Sequence, residues 1–452
     1  MSLWHNQRSA IDWMQPRQFG LIGHEMGCGK SRTLIEAVKD IDLVLIVCPI
    51  AVGPAWLKQA GLYDSGRTVC LAVSGSSKSR AQQIRSAVQA GGRLVVVVNY
   101  DSVWRGEIAK VVSKTEWGAV VLDESHRIKS PSSKVSRWAG KFCETHPTAK
   151  RICLTGTPTP QDPRDWYGQF RFLDPSVLGT NFVSFQSRIA VSHPQYKGFI
   201  LRWLDNGLKA MSERIDEHVH RVTADEVLDL PEAIHTEISV ELSSDTRRFY
   251  QDLEREMIAR IGEDGVVTAA NKMVVVGRLH LAASGYCRAD GEESFRPING
   301  TPEKRAALSE WLTDFPRAEP LVVFCWYHAD IDEVSAECRK SGRTFSELSG
   351  RRNQLTEWQR GDTEVLVVQQ QSGGAGIDLT RACYCVYYSL SHSLGQYEQS
   401  LARLRRPGQT RPCRYYHLVA ADTVDEDIYS ALRDKRDVVE SILTRLTRRS
   451  EP

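Results

Sequence analysis

The stretch Val121-Leu122-Asp123-Glu124-Ser125-His126-Arg127-Ile128-Lys129-Ser130 decides how this chain is read. It continues the short apolar run Ala119 to Leu122, and an apolar run without alternation reads as a strand buried on both faces, as in a parallel sheet. Two carboxylates then stand at the C-terminal end of that strand, the ligand-binding edge of an open α/β sheet. There Asp123 is placed to hold Mg2+, directly or through water, and Glu124 to orient and deprotonate a water attacking a phosphate. An acidic residue at a strand end also serves as a helix cap, so the choice between the two depends on what precedes it.

What precedes it is Gly27-Cys28-Gly29-Lys30-Ser31, set between the apolar stretch Phe19 to Ile22 and a helical pattern from Arg32 to Val38. Glycines in such a loop let backbone N–H groups approach phosphates at a helix N-terminus, Lys30 reaches the β and γ phosphates, and the Ser31 hydroxyl ligates Mg2+. The strict spacing G-x-x-x-x-G-K-[ST] is not met: His24 holds the position of the first glycine, with Gly23 one residue away. A plain glycine helix cap is the alternative for the loop taken alone.

Further short apolar runs, Leu43 to Val47, Leu94 to Val98 and Arg151 to Leu154, each end in a turn residue and precede a segment able to form a helix. This is the rhythm of parallel strands with crossover helices. It stops over residues 175 to 300, which read as mostly helical and mixed, with a long amphipathic helix over Ser243 to Ile261, and it returns at Leu321 to Cys325, Val365 to Val368, Cys385 to Tyr388 and Tyr415 to Leu418. The expected fold is therefore α/β: two lobes of parallel sheet flanked by helices, with a short helical insertion between their cores. Pro231, in Asp229-Leu230-Pro231-Glu232, marks the division. The first lobe is placed at 1–230 with a helical extension about 175–230, and the second at 231–452 with a helical start about 235–300.

Three later stretches carry chemistry. Leu154-Thr155-Gly156-Thr157-Pro158 closes a strand with small hydroxyl residues suited to sensing a nucleotide by hydrogen bonds, or to a simple turn. Gly373-Gly374-Ala375-Gly376-Ile377-Asp378-Leu379 supplies flexible backbone after the strand Val365 to Val368. In Gln396 to Gln409, the residues Gln399, Arg403 and Arg406 fall on about one helical face, from which arginines can neutralise charge on a transferred phosphoryl group. A solvated surface helix is the other reading.

Composition narrows the classes. Apolar residues at 41% and charged residues at 25% describe a globular chain, and no apolar run reaches the roughly 20 residues of a membrane span. Met1 to Asp12 lacks the apolar core of a secretory signal, so an intracellular setting is expected, with no membrane partner. The eleven cysteines are odd in number, lack a Cys-x-x-Cys pair and stand at no metal-ligand spacing from a histidine, which favours reduced core thiols. A net charge of +2 says nothing about nucleic acid, yet residues 403 to 414 hold five arginines and no carboxylate. Such a cluster meets phosphates or simply lies in solvent.

Taken in order, these residues resemble the superfamily two helicases, and specifically the Swi/Snf-like branch of double-stranded DNA translocase ATPases, over nearly the whole chain. The Arg-x-Lys after the acidic pair, Arg127 and Lys129, is the most branch-specific feature, and Asp165-Trp166 with Phe172-Leu173-Asp174-Pro175 reinforces it. Leu3-Trp4-His5-Asn6-Gln7 looks like the opening glutamine motif, in which Gln7 would read adenine. Gly23 to Ser31 is similar to the family's phosphate loop. The resemblance implies two RecA-like lobes, ATP and Mg2+ as cofactors, and duplex DNA as partner, bound through its backbone without sequence preference. It implies ATP contacts from Gln7, Gly27, Cys28, Gly29, Lys30, Ser31, Gly376 and Asp378, metal ligation by Ser31 and Asp123, and catalysis by Lys30, Asp123, Glu124, Arg403 and Arg406. His126, Thr155, Gly156, Thr157 and Gln399 would couple nucleotide state to motion. DNA contacts would come from Pro49, Trp56, Lys58, Asn99, Tyr100, Arg127 and Lys129 in the first lobe, and from Phe324, Ser349, Gly350, Gly373 and Gly374 in the second.

The expectation is a DNA-dependent ATPase that translocates on duplex DNA, with ATP hydrolysed between the lobes. A strand-separating or branch-migrating helicase is the alternative, and an ATP-gated DNA clamp with little turnover a second. The short middle region suggests a minimal bacterial or phage-type member, a monomer in the cytoplasm or nucleoid (the host cytoplasm if viral), serving a nuclease or a replication or recombination protein. Three positions depart from the family pattern: His24 stands where an acid is usual, Ser125 replaces an alanine, and Ala402 replaces an aspartate before Arg403. Cys28 in the phosphate loop raises thiol sensitivity, against an inert packing role.

Overall fold

The computed structural model describes residues 2–156, 162–192, 200–263, 269–288, 295–372, 377–435 and 438. Thr157, Gly373, Gly374 and Gly376 therefore lie outside the described residues. The chain divides into two units, Met1–Asp229 and Leu230–Pro452, each built on one parallel sheet.

In the first unit seven strands run in the order Thr68–Ala72, Leu94–Asn99, Leu43–Cys48, Ala119–Asp123, Lys150–Thr155, Phe19–His24 and Val219–Val222, all pairings parallel. The apolar runs give this result because a strand's side chains alternate between faces. Val44, Ile46 and Cys48, with Val97 and Val121, enter one core. Leu45 and Val47, with Val96, Val98, Val120 and Leu122, enter the core on the opposite face. Each fully buried Val, Leu or Ile contributes about 1.5–3 kcal/mol of apolar burial, so these runs hold the middle of the sheet. The strand order brings the ends of Ala119–Asp123, Lys150–Thr155 and Phe19–His24 side by side, which sets the site.

The second unit holds six parallel strands in the order Ala233–Val240, Cys413–Ala420, Tyr384–Tyr387, Leu321–Cys325, Val365–Gln369 and Phe345–Leu348. Its two cores lie on either side of Leu321–Cys325: Val322 and Phe324 face one, Leu321, Val323 and Cys325 the other.

The mostly helical reading of residues 175 to 300 needs correction. Helices Phe182–Ile189, Asp205–Asp216, Ser244–Glu263 and Ala269–Ala283 are present, but Val219–Val222 is a strand beside Phe19–His24, and Ala233–Val240 is an eight-residue edge strand on Cys413–Ala420. The edge strand buries only Val240 fully and exposes four of its residues, so it needs no apolar run and shows none. No helix among the described residues is long and apolar enough to cross a membrane.

Candidate nucleotide site

The first half of the site is a turn that only glycine makes easily. After the strand Phe19–His24 the chain passes through Gly27 (φ 86°) and Gly29 (φ 80°) into helix Lys30–Ala37. Both φ values lie in the left-handed region that side chains disfavour. A Cβ on Gly29 would also overlap the Gln7 amide nitrogen. The turn aims the first amides of the helix, which have no partner within the helix, outward as an anion cradle. Ser31 sits half-buried in that first turn. Lys30 Nζ donates to the carbonyls of His24 (2.7 Å) and Glu25 (3.2 Å), so the ammonium is held over the loop.

Helix His5–Met14 straps this loop from outside. Asn6 Nδ2 donates to the Cys28 carbonyl at 3.0 Å and Gln7 Nε2 to that of Gly29 at 3.3 Å, while Gln7 Oε1 accepts from the Trp4 N–H at 2.9 Å. Gln7 thus uses one donor and one acceptor on backbone, leaving one of each. Asn6 was not among the residues singled out from the sequence.

His24 is fully buried. Its Nε2 lies 3.0 Å from His220 Nδ1, and His220 Nε2 lies 3.2 Å from Ser9 Oγ. Burial, together with the charges of His220 and Lys30, pushes His24 down to about 3, so a neutral imidazole occupies the position where the family pattern has an acid. Glu25 clasps the same loop to the end of the unit: its N–H donates to the Val222 carbonyl (2.9 Å) and its Oε2 accepts from the Ala224 N–H (2.8 Å). Cys28 is buried, and its thiol is pushed up to about 11 by burial, which favours packing over thiol reactivity.

The acidic half lies at the end of Ala119–Asp123. Asp123 Oδ2 accepts the Trp56 indole N–H at 2.9 Å, and its main-chain oxygen accepts the Tyr100 hydroxyl at 2.8 Å. Burial and the neighbouring Glu124 carboxylate push Asp123 up to about 7, opposed by the Trp56 hydrogen bond and the Lys30 charge. Glu124 adopts a left-handed conformation, φ 55° and ψ 53°, a state that costs a non-glycine residue roughly 1–2 kcal/mol. Its Oε2 is buried without a hydrogen-bond partner. His126 Nδ1 stands 3.4 Å away but is not aligned to bond it, and burial lowers the His126 pKa. Ser125 donates to Gln169 Oε1 at 2.6 Å, fixing the backbone beneath Glu124. Thr155 is buried, and a Cβ on Gly156 would stand 3.5 Å from Lys30 Nζ, so that loop closes on the lysine.

These residues fit ATP with Mg2+. Glycines at positive φ open a cradle, Lys30 acts on Asp123, and the carboxylate pair contains one buried, unpartnered oxygen. A bound cation would hold the buried Asp123 ionised.

The second unit carries its own cluster. Arg406 Nη1 donates to the Ile377 carbonyl at 3.0 Å, and the Leu379 N–H to that of Arg403 at 3.1 Å. Asp378 Oδ1 accepts from Thr380 N–H (2.9 Å) and hydroxyl (2.7 Å). Burial raises the Asp378 pKa, but these bonds and the Arg406 and Arg403 charges bring it below the ordinary value. Arg403 is buried and Gln399 half-buried on helix Leu394–Leu404.

Five residues read as DNA contacts are instead interior. Trp56 and Tyr100 are spent on Asp123. Asn99 is buried, with Oδ1 accepting from Arg80 and Ser102, and Phe324 is fully buried against Tyr387. Ser349 is mostly buried and donates to Glu347. Lys58, Arg127, Lys129 and Gly350 are exposed and Pro49 half-buried; Lys129 pairs with Asp165 at 3.0 Å.

Against known families, the SNF2-related domain matches residues 6–283 and the helicase conserved C-terminal domain residues 303–408. The chain belongs to the SNF2-related family. Membership brings an ATPase of the helicase type, with the ATP and Mg2+ of that class. This SNF2-related chain is 26% identical to putative protein p41 of Acyrthosiphon pisum secondary endosymbiont phage 1, over 94% of both chains. It is 23% identical to an uncharacterized ATP-dependent helicase of Mycoplasma genitalium, covering 97% of this chain and 42% of that protein. It is 24% identical to the DNA repair and recombination protein RAD54-like of Drosophila persimilis, covering 94% and 60%. Thus it spans less than two thirds of each of the latter two relatives. Among solved structures it resembles the Sulfolobus solfataricus SWI2/SNF2 ATPase core in complex with dsDNA, at 20% identity, 98% and 93% coverage and a TM-score of 0.45.

Proposed function

We propose that this SNF2-related protein is a DNA-dependent ATPase that moves along double-stranded DNA. The observation that carries the chemistry is Lys30, held over a glycine loop with its charge acting on Asp123, together with the buried Glu124 Oε2 that has no hydrogen-bond partner. Lys30 and the first-turn amides bind the phosphates, and Ser31 and Asp123 hold Mg2+, which neutralises phosphate charge when bound. The Glu124 carboxylate, whose Oε2 is buried without a hydrogen-bond partner, accepts the proton of the attacking water. Arg403 and Arg406 supply positive charge for the transferring phosphoryl group. Exposed Lys58, Arg127 and Lys129 meet the DNA backbone, so binding weakens with salt and tolerates any sequence.

We read the protein as a monomeric motor inside a cell, serving a nuclease or a replication or recombination protein. Phosphate release with and without duplex DNA tests the reading. Strong stimulation by duplex, abolished in Lys30→Ala and Glu124→Gln, is expected. Equal, DNA-independent rates in wild type and both variants overturn it. Low turnover that duplex does not raise, together with ATP-dependent DNA binding, identifies the clamp, whose motive is Ala402 beside Arg403. Displacement of a triplex strand without duplex unwinding separates translocation from strand separation.

A further inference from the structure

Two aromatic side chains from separate crossover segments converge on one residue. Trp56 belongs to helix Gly53–Tyr63, which follows the strand Leu43–Cys48. Tyr100 opens helix Tyr100–Val103, which follows the strand Leu94–Asn99. Trp56 is 2% exposed, Tyr100 4% and Asp123 7%, so both bonds to Asp123 form away from water, where a charge-assisted hydrogen bond is strong and its loss is costly. An indole has a single N–H, and Trp56 spends it on Oδ2. That contact fixes the orientation of the carboxylate that would hold a cation. Tyr100 fixes the carbonyl of the same residue, at the point where the chain enters the left-handed turn at Glu124.

The segments that carry these rings also face outward. Lys58 lies two residues beyond Trp56, about 200° around the helix, and is exposed together with Leu57 and Ile50. Asp101 and Arg105 are exposed beside Tyr100. One rigid element thus presents a cation to the outside and an indole to the metal carboxylate, and a displacement at the first is a displacement at the second.

We propose that Trp56 and Tyr100 are positioning residues through which duplex DNA, bound on the outer faces of their segments, sets the geometry of Asp123. The DNA-stimulated part of ATP turnover passes through these two hydrogen bonds. This rests on the DNA-dependent ATPase reading above.

Trp56→Phe and Tyr100→Phe remove the donors while keeping aromatic packing. In the full chain, ATP hydrolysis is followed against duplex concentration and against Mg2+, with duplex affinity and thermal melting measured in parallel. The ratio of DNA-stimulated to basal rate is expected to fall about tenfold in each variant, the worth of one hydrogen bond to a charged or buried group. Half-saturating Mg2+ rises several-fold in Trp56→Phe, and duplex affinity stays within about threefold of wild type. A merely structural role lowers stimulated and basal rates in proportion and leaves the Mg2+ requirement where it was, and that outcome overturns the proposal. Should Trp56→Phe fail to fold, Tyr100→Phe, which loses one oxygen atom, decides the question. Wild type without DNA stimulation rejects the underlying reading; stimulated wild type with both variants keeping its ratio and Mg2+ requirement rejects this inference alone.

Discussion

Arg406 Nη1 lies 3.0 Å from the main-chain oxygen of Ile377, and the Leu379 N–H lies 3.1 Å from that of Arg403. The two arginines and the segment bearing Asp378 are therefore one hydrogen-bonded block of the second unit. An arginine that neutralises a transferring phosphoryl group contributes roughly 10^3–10^5 in rate. Arg406→Ala is accordingly expected to lower DNA-stimulated turnover about 10^3-fold while ATP and duplex affinities stay within a few-fold. Arg406→Lys does not restore it, because a lysine cannot both bond the Ile377 carbonyl in a planar fork and reach a phosphate. Recovery in the lysine variant above about a tenth of wild-type turnover contradicts this role.

Glu124 combines a strained backbone with an unsatisfied buried oxygen. Both are costs to stability that a catalytic base justifies and a structural residue does not. Glu124→Gly removes both, and loses turnover at least about 100-fold, yet its melting temperature is expected to be no lower than that of wild type, since glycine takes positive φ freely. Calorimetry checks this, and a fall of more than about 3 °C, near 1 kcal/mol for a unit of this size, counts against strain at this position.

Gly29 is tested in the opposite sense. Its φ of 80° and the Gln7 amide at its α-carbon leave no room for a methyl group. Gly29→Ala is expected to lose ATP binding by at least about tenfold and stability by about 1 kcal/mol. Adding Gln7→Ala relieves the overlap but not the backbone strain, and removes the side chain expected to read adenine besides, so the pair recovers part of the stability and none of the ATP binding. Full recovery of the melting temperature in the double variant shows that the overlap alone set the stability cost.

How far the sequence reveals these features follows from their range. Leu43–Cys48 and Leu94–Asn99 were legible because strands buried on both faces must be continuously apolar. Ala233–Val240 and Val219–Val222 were not, because an edge strand carries a mixed pattern that resembles a helix as readily. Within the site, the glycine turn and acidic pair are local strings. By contrast, Asn6 reaches Cys28, Ser125 reaches Gln169 and His24 reaches His220 across 22, 44 and 196 residues, distances no pattern records. Trp56 shows a subtler limit. Its motif marks a segment, but a helix turns about 100° per residue, and only the structure tells that Lys58 faces out while Trp56 faces in.

Acid is expected to weaken the second unit through His417. This fully buried ring accepts at Nε2 from the Tyr397 hydroxyl (2.9 Å), which leaves Nδ1–H to face the Thr236 carbonyl (3.4 Å). Burial, with a smaller contribution from His235, pushes it from 6.5 down to about 3. Between those values the unfolded chain binds a proton that the folded chain refuses, so stability is fully present above pH 6.5 and falls as pH drops toward 3. The slope is about 1.4 kcal/mol per pH unit for one such group. His280 and His392 are displaced the same way by burial and add to it. In His417→Gln the site no longer titrates: stability at pH 7.5 is lower, but its loss between pH 6 and pH 5 is smaller than in wild type by about one proton's worth. Urea unfolding of both proteins at the two pH values measures that difference, and equal losses mean that His417 takes up its proton in the folded state as readily as in the unfolded chain.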